Sequence, residues 1–433
     1  MARRANGLRR AITAVFRLCL RIFFRRIELV GLERVPEDGP IVFAVNHPNG
    51  LVDPLFLLCF APRPVSFLAK APLFGMFFIG WIVKAFDAIP VYRKQDNTGG
   101  SNQETFTKAR ALLRSGGSIA IFPEGTTHDD STLRELKTGA ARIALGAQLD
   151  DMIVIPIGIY YTAKATFRSS ALVVFGDALR VPRVNIDEHG EPPIDAVETL
   201  TNAIDAGLDA VTLQADSRNA LDLIARAEDI FTADEDQPLA EELDLRRRFV
   251  DGYHYLATHD PQRLEKLRAA ITQFESELRR ANFEIDELKP RVYPMRLFRV
   301  LVLLPVALIG AIVNYPTYRL IGLLAKRFSN GEVVLVSTVK FVAALAFYPL
   351  TYIALGSIAG WQWGWMIGLA TLVVLPFIGY AALRVFEDLD DLVGDLRALT
   401  HRLLRRRGYI RLLEQRQVIK KELIGVAREL ERA

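Results

Sequence analysis

A run of apolar residues leads directly into a polar turn at residues 41–54, which read Ile-Val-Phe-Ala-Val-Asn-His-Pro-Asn-Gly-Leu-Val-Asp-Pro. The apolar half is typical of a buried strand, and the Pro, Asn and Gly after it predict a turn. His47 and Asp53 both lie on this turn. A carboxylate beside an imidazole fixes its tautomer and leaves the second ring nitrogen free to accept a proton. With no Ser or Cys nearby, the pattern favours a general base acting on a substrate hydroxyl; the alternative is a turn before a capped helix.

Apolar runs on either side of this turn predict an α/β domain over residues 27–215. Five runs have the composition of short strands: residues 40–45, 65–68, 118–122, 153–159 and 171–175. Helical patterns at 103–115 and 136–145 lie between them. The alternation predicts a mostly parallel or mixed sheet flanked by helices. Such sheets bind ligands beyond the carboxyl ends of their strands, where this sequence has polar clusters.

Three further clusters lie at or in predicted strands. A short apolar strand ends in Arg93 and Lys94, and an arginine there suits a bidentate grip on phosphate, although a solvated strand end looks the same. Glu124 and Gly125 follow another strand, and the carboxylate could accept a hydrogen bond from a polyol hydroxyl. The run Val-Ile-Pro-Ile at 154–157 has the character of a core strand, with Pro156 shaping one wall of the site.

In this order, the His–Asp block, the strand ending in Arg, the Phe-Pro-Glu-Gly block and the Val-Ile-Pro strand resemble the glycerolipid acyltransferase superfamily. That superfamily contains glycerol-3-phosphate and 1-acylglycerol-3-phosphate acyltransferases, and the resemblance covers about residues 30–180. It implies that His47 is the general base and Asp53 its orienting partner. The residues that it implies for acceptor binding or for lining the site are Arg93, Glu124, Gly125 and Pro156.

Five residues separate His47 from Asp53, one more than in the common form of the superfamily. The longer spacing resembles the glycerol-3-phosphate/dihydroxyacetone-phosphate acyltransferase branch, as do His128-Asp129, residues 136–140 and an apolar C-terminal portion. The resemblance implies transfer of a fatty acyl group from an acyl thioester, carried by CoA or acyl carrier protein, to glycerol 3-phosphate or dihydroxyacetone phosphate in phospholipid biosynthesis. No metal and no cofactor beyond that co-substrate is expected. Further candidates for the phosphate are Lys70, Lys94 and Lys137.

Other functions remain open at this point. A 1-acylglycerol-3-phosphate or other lysophospholipid acyltransferase has the same blocks, and a non-catalytic membrane scaffold that binds lipid could retain them. A metal-dependent hydrolase could use His47, Asp53, Glu124, His128 and Asp129, but their spacing matches no familiar ligand motif. Basic residues without interleaved aromatic platforms argue against a nucleic-acid partner. The sequence does not indicate the oligomeric state.

The chain has 433 residues, of which 51% are apolar, and this composition excludes a disordered protein. Its two cysteines exclude a disulfide framework or a Cys-rich zinc site. Outside the acyltransferase domain, we predict four segments: a basic amphipathic helix on a membrane surface at 1–26, a charged helical hairpin at 216–290, a membrane domain at 291–387 and a basic cytosolic helical tail at 388–433. A domain helix with one buried face is the alternative for the first.

The membrane domain is predicted to contain a re-entrant or in-plane element at about 297–325, whose apolar run is interrupted by Pro305, Pro316 and Arg319. Transmembrane helices are predicted at about 333–359 and 361–385. A buried soluble helical bundle is the alternative for all three runs. Basic residues flank these runs, whereas residues 358–365 contain no Lys or Arg. The positive-inside rule then predicts an even number of crossings and an integral membrane protein whose active site faces the cytoplasm. The Ala-, Arg- and Asp-rich composition, without an organelle signal, favours a bacterial inner membrane.

Overall fold

The computed structural model describes residues 7–75, 77–92, 102–128, 130, 132–212, 218–232, 239–281, 285, 294–329, 331–404, 406–430 and 432. The chain divides into two units. The first, here called the sheet unit, comprises Met1–Gln214 and Ala325–Phe341. The second, the helical unit, comprises Ala215–Leu324 and Val342–Ala433.

The sheet unit contains, among its described residues, one sheet of eight strands. The strands are β1 Arg26–Val30, β2 Ile41–Val45, β3 Val65–Lys70, β4 Ile89–Val91, β5 Ser118–Ile121, β6 Ile153–Tyr161, β7 Ser170–Phe175 and β8 Leu179–Arg180. Their order is β1-β7-β6-β2-β5-β3-β4, with β8 paired to β6. Strands β6, β2, β5, β3 and β4 are parallel, and β7 is antiparallel to β6. The predicted mixed sheet with flanking helices is therefore confirmed.

Helices cover both faces of this sheet. They are α1 Gly7–Phe23, α2 Val52–Phe60, α3 Phe77–Ala85, α4 Asn102–Arg114, α5 Gly139–Gly146 and α6 Ile194–Val211. Because side chains alternate along a strand, Val42 and Ala44 of β2 share an apolar core with α4, α5 and α6. Phe43, between them, points to the opposite face, where its ring contacts that of Phe175. Both faces of β2 are thus buried, which matches its uninterrupted apolar run.

Helix α1 has one face buried in the sheet unit. Phe16, Leu20 and Phe23 are buried, and so is Arg9, which donates a hydrogen bond of 2.6 Å to the carbonyl of Val65. Burial lowers the pKa of Arg9 from its ordinary value. This is the domain helix that the sequence left as the alternative. The opposite face exposes both leucine and arginine side chains, so contact of that face with a membrane surface stays a prediction.

The helical unit differs from the predicted hairpin and tail. Its helices outside the membrane domain are α7 Arg218–Thr232, α8 Leu239–His259, α9 Pro261–Ala281 and, after the membrane domain, α13 Arg406–Leu430. The 3-4 stripe of α9, which includes Ile271 and Phe274, is buried in a core shared with α7, α8 and α13. The C-terminal helix therefore completes a bundle, because α7, α8 and α9 present apolar faces that a two-helix hairpin would leave exposed.

Three long apolar helices form the membrane domain: α10 Pro294–Phe328, α11 Val333–Trp363 and α12 Trp365–Leu404. By length and composition, each is able to cross a membrane. Helix α10 continues through Pro305 and Pro316, and its re-entrant or in-plane placement stays a prediction. Prolines are tolerated inside helices of this kind because neighbouring groups satisfy the freed backbone carbonyls.

A sharp turn at Gly364, whose φ is +99°, separates α11 from α12. The two helices approach closely near this turn. A Cβ atom added at Gly368 would lie 2.7 Å from the Gly356 oxygen and from the Gly360 Cα, so only glycine fits there. Small residues that let helix backbones touch are typical of packing in membranes.

Candidate active site

The candidate site lies where two adjacent parallel strands end. Strand β2 leads to His47 and its neighbour β5 leads to Glu124, so both residues lie at the carboxyl edge of the sheet. The ring of His47 stacks on that of Phe122, with 4.1 Å between centroids. The backbone N–H of His47 donates a hydrogen bond of 2.9 Å to Oε1 of Glu124. The sequence blocks around residues 47 and 124 thus form one site.

His47 contacts Asp53 directly. Its Nδ1 lies 2.8 Å from Oδ2 of Asp53, whose side chain is fully buried. A turn accommodates the extra residue between His47 and Asp53. In this turn, the Asn49 carbonyl accepts hydrogen bonds from the backbone amides of Val52 and Asp53. The longer loop therefore keeps the contact between base and carboxylate. Nε2 is then the ring nitrogen left for a substrate, and the His47 side chain is 16% exposed.

Two further groups hold the Asp53 carboxylate. The hydroxyl of Tyr161 donates a hydrogen bond of 2.6 Å to Oδ1, and the amide of Asn49 donates one of 2.7 Å to Oδ2. Burial, together with the negative charge of Asp53, raises the pKa of Tyr161 well above its ordinary value, so the phenol stays protonated as a donor. The Tyr161 ring is held between those of Phe24 and Phe56.

Tyr161 belongs to none of the motifs that predict the site. It ends β6 on the face of the sheet opposite to α6, where the strand otherwise presents isoleucines. A tyrosine that closes a run of aliphatic residues is a signal that could have been used, because a buried phenol needs a hydrogen-bond partner.

Glu124 is buried, with 3% of its surface exposed. Its Oε2 accepts a hydrogen bond of 3.1 Å from the amide of Arg134 and contacts Nε2 of His128, while Oε1 holds the backbone of His47. The Glu124 carboxylate therefore fixes the backbone of His47 and Arg134 at the edge of the candidate site. A contact between Glu124 and the acceptor, which the resemblance implies, stays a prediction.

Lys137 lies over the turn that contains Gly125. Gly125 has φ +71°, and a Cβ atom added there would lie 2.6 Å from Nζ of Lys137. The Lys137 amide also donates a hydrogen bond of 2.8 Å to the carbonyl of Pro123. The structure thus places the Lys137 ammonium next to the Glu-Gly turn, and its role in binding phosphate stays a prediction.

Lys70 is exposed at the end of β3 and pairs in register with Val91 of β4. Strand β5 separates β3 from β2, so Lys70 lies further along the same edge of the sheet than His47. Arg93, Lys94 and Asp129 lie outside the described residues, and the roles predicted for them stay predictions.

Pro156 requires a correction. It is buried in β6, and a Cβ atom added at Gly207 of α6 would lie 2.9 Å from its Cγ. Its neighbours in the strand, Ile155 and Ile157, point to the other face of the sheet, as does Tyr161. Pro156 therefore packs in the core beneath α6 and does not line the site, because strand alternation turns it away from the Tyr161 face.

Among the described residues, no group of three or more His, Cys, Asp or Glu side chains is arranged to hold a metal ion. Instead, the candidate ligands of the hydrolase alternative form two separate pairs, His47 with Asp53 and His128 with Glu124. Each imidazole thus contacts its own carboxylate.

The residues that form the sheet and its carboxyl edge match a known family. The Acyltransferase family matches residues 26–160, and the family described as the Glycerol-3-phosphate acyltransferase 2 C-terminal domain matches residues 230–431. Both matches agree with the resemblance to the glycerolipid acyltransferase superfamily.

Several known proteins are similar to parts of this chain. Glycerol-3-phosphate O-acyltransferase 1 of Saccharomyces cerevisiae is 24% identical over 76% of this chain, which spans 58% of that protein's length. A 1-acyl-sn-glycerol-3-phosphate acyltransferase of Bacillus subtilis is 34% identical over 27% of this chain and 56% of its own. The crystal structure of the 1-acyl-sn-glycerophosphate acyltransferase PlsC of Thermotoga maritima covers 48% of this chain and 85% of that one, with 18% identity and a TM-score of 0.34.

Proposed function

We propose that this protein is a membrane-bound O-acyltransferase that transfers a fatty acyl group from an acyl thioester to a hydroxyl of glycerol 3-phosphate or dihydroxyacetone phosphate. The observation that carries the proposal is the 2.8 Å contact between His47 Nδ1 and the buried Asp53 carboxylate. It leaves Nε2 of a partly exposed imidazole as a base at the carboxyl edge of an acyltransferase sheet.

In the proposed reaction, Nε2 of His47 takes the proton of the acceptor hydroxyl while that oxygen attacks the thioester carbonyl carbon. The carbon–oxygen bond forms, and the tetrahedral intermediate collapses with loss of the carbon–sulfur bond. The proton then passes from His47 to the departing thiolate. Asp53 stabilises the imidazolium that exists between these steps, and Tyr161 keeps Asp53 in place. General base catalysis of this kind contributes roughly 10²–10⁴-fold to the rate.

The choice of acceptor rests on the second half of the chain. Its match to a glycerol-3-phosphate acyltransferase C-terminal domain and the similarity to the yeast enzyme support glycerol 3-phosphate. The similarity to the Bacillus enzyme supports 1-acylglycerol 3-phosphate as the alternative acceptor. Lys137 supports a phosphate group near the Glu-Gly turn, and Arg93 and Lys70 are proposed to assist it.

Three apolar helices indicate association with a lipid bilayer. We propose that the active site faces the cytoplasm, because basic residues flank the apolar runs. The bacterial inner membrane gains no support from the relatives, since the yeast enzyme covers more of this chain than the bacterial one does. The acyl donor, whether a CoA or an acyl carrier protein thioester, stays part of the proposal, as does the absence of any further cofactor.

The test is an assay of the full chain in mild detergent with palmitoyl-CoA and, separately, glycerol 3-phosphate, dihydroxyacetone phosphate and 1-acylglycerol 3-phosphate. Mass spectrometry follows the lipid products. His47→Ala should abolish the product, while His189→Ala, which removes an exposed histidine, should not. Product from 1-acylglycerol 3-phosphate alone would overturn the choice of acceptor. No product from any acceptor, also with acyl carrier protein thioesters, would favour the non-catalytic scaffold.

A further inference from the structure

The first residues of α11 belong to the sheet unit and lie beside the catalytic turn. We call Val333–Phe341 the α11 head. It is contributed by a helix that begins more than 100 residues after α6, the preceding helix of the sheet unit. Three of its polar side chains, those of Ser337, Thr338 and Lys340, make hydrogen bonds to backbone groups of the sheet unit.

Thr338 binds the turn between His47 and Asp53. The amide of Leu51 donates a hydrogen bond of 3.1 Å to Oγ1 of Thr338. Leu51 immediately precedes α2, where backbone N–H groups have no partner within the helix, so the threonine hydroxyl satisfies a group that the turn itself cannot. Gly50 fits the same contact, because a Cβ atom added there would lie 2.6 Å from Thr338 Oγ1.

A second set of bonds reaches the carboxylate through Asn49. Ser337, which is fully buried, donates a hydrogen bond to the carbonyl of Lys164, and Nδ2 of Asn49 lies 3.4 Å from the same oxygen. Lys340 donates a hydrogen bond of 2.7 Å to the next carbonyl, that of Ala165. The backbone N–H of Asn49 in turn donates a hydrogen bond to Oδ2 of Asp53. The α11 head is therefore linked to both ends of the segment from Asn49 to Leu51.

We propose that Thr338 is a positioning residue for acyl transfer, which holds the turn so that Asp53 keeps its contact with His47. This inference rests on the proposed function. The five-residue turn between His47 and Asp53 is longer than one tight turn needs. Its amide at Leu51 is fixed from outside the turn, by a side chain 287 positions away in sequence. Without that hydroxyl, the Leu51 amide exchanges its partner for water and the turn samples other conformations.

The test is Thr338→Val in the full chain, since valine keeps the shape and removes the hydroxyl. We expect kcat to fall about tenfold, which corresponds to about 1.4 kcal/mol. The KM values for the acyl donor and the acceptor should stay within twofold of wild type, because Thr338 touches no substrate in this scheme. Thr338→Ser restores the hydroxyl and should recover most of kcat. Hydrogen exchange at the Leu51 amide should accelerate in the valine variant and return in the serine variant.

Thr371→Val is the matched control, because Thr371 is half-buried and bonds only the carbonyl of Ile367 in its own helix, as far as the described hydrogen bonds extend. An unchanged kcat in Thr338→Val would overturn the proposal, even if exchange at Leu51 rises. So would an equal loss in Thr371→Val, or a loss accompanied by a fall in melting temperature that serine does not recover. If the wild-type protein shows no turnover that depends on His47, the proposed function is wrong. In that case, hydrogen exchange at the Leu51 amide tests only the contact between Leu51 and Thr338.

Discussion

The Tyr161 hydroxyl binds the one carboxylate oxygen of Asp53 that His47 leaves unused. A phenol from β6, a carboxylate from α2 and an imidazole from the end of β2 thus form a single line of hydrogen bonds. Because the phenol and carboxylate are both buried, each depends on the other for its hydrogen bond. The proposed general base, His47, is thus linked through Asp53 to a residue more than 100 positions later in the chain.

Tyr161→Phe should lower kcat about tenfold, or about 1.4 kcal/mol, with little change in KM. The variant removes the donor while keeping the ring between Phe24 and Phe56, so Asp53 loses one support and can move away from His47. Steady-state kinetics with a saturating acyl donor would measure this. Tyr315→Phe, which alters an exposed tyrosine of α10, should retain wild-type kcat. An active Tyr161→Phe enzyme would refute the orienting role.

Gly50→Ala should destabilise the protein by about 1 kcal/mol or more, because φ at this position is +30° and the added Cβ would collide with Thr338. Thermal unfolding of the detergent-solubilised chain would give the change in melting temperature. Gly139→Ala provides the comparison, since nothing lies within 4 Å of its Cβ position and its φ is ordinary. Equal melting temperatures for the two variants would show that the turn tolerates a side chain.

Lys137→Ala should raise the KM for glycerol 3-phosphate about tenfold and leave kcat nearly unchanged, because a lost charge-assisted hydrogen bond costs roughly 1.5–3 kcal/mol. The dependence of initial rate on acceptor concentration is the measurement. Lys266→Ala, an exposed lysine on α9 in the helical unit, serves as the control. If the KM for the acceptor did not move, Lys137 would have no role in phosphate binding.

The two cysteines should react slowly with alkylating reagents in the folded protein. Burial raises the pKa of Cys19 to about 11 and that of Cys59 to about 12. A raised thiol pKa means less thiolate at a given pH, and the thiolate is the nucleophile, so labelling at pH 8 should be slow and should accelerate as the pH rises. Mass spectrometry of iodoacetamide-treated protein would show Cys59 reacting last. Rapid labelling of Cys59 before denaturation would contradict its burial.

Local features of the sequence predicted the strands and the two blocks of the site well. The apolar run of β2 and the Pro, Asn and Gly after it are local signals, and parallel strands necessarily bring residues 47 and 124 to one edge. Tyr161 and Thr338 could not be found in this way, because their contacts join segments far apart in the chain. Neither residue belongs to a motif, and the role proposed for each follows from the contacts that it makes in the folded chain.

The placement of Pro156 has another cause. The resemblance implies that Pro156 lines the site, but its parity in β6 directs it towards α6. Strand alternation is visible in the sequence, whereas the face of the sheet that carries the site becomes known only when the strands are paired. The re-entrant or in-plane placement of residues 297–325 stays a prediction, and α10 continues through its two prolines.

The sheet unit is not a continuous piece of the chain, because it is completed by residues 325–341. Phe341, at the end of the α11 head, packs its ring against those of Phe16 and Phe23 in α1, at centroid distances of 6.4 and 6.2 Å. A truncation after residue 214 would remove this contact from both α1 rings. A single cut therefore cannot separate the whole sheet unit from the rest of the chain, and a fragment that keeps the unit would have to carry a grafted copy of the α11 head.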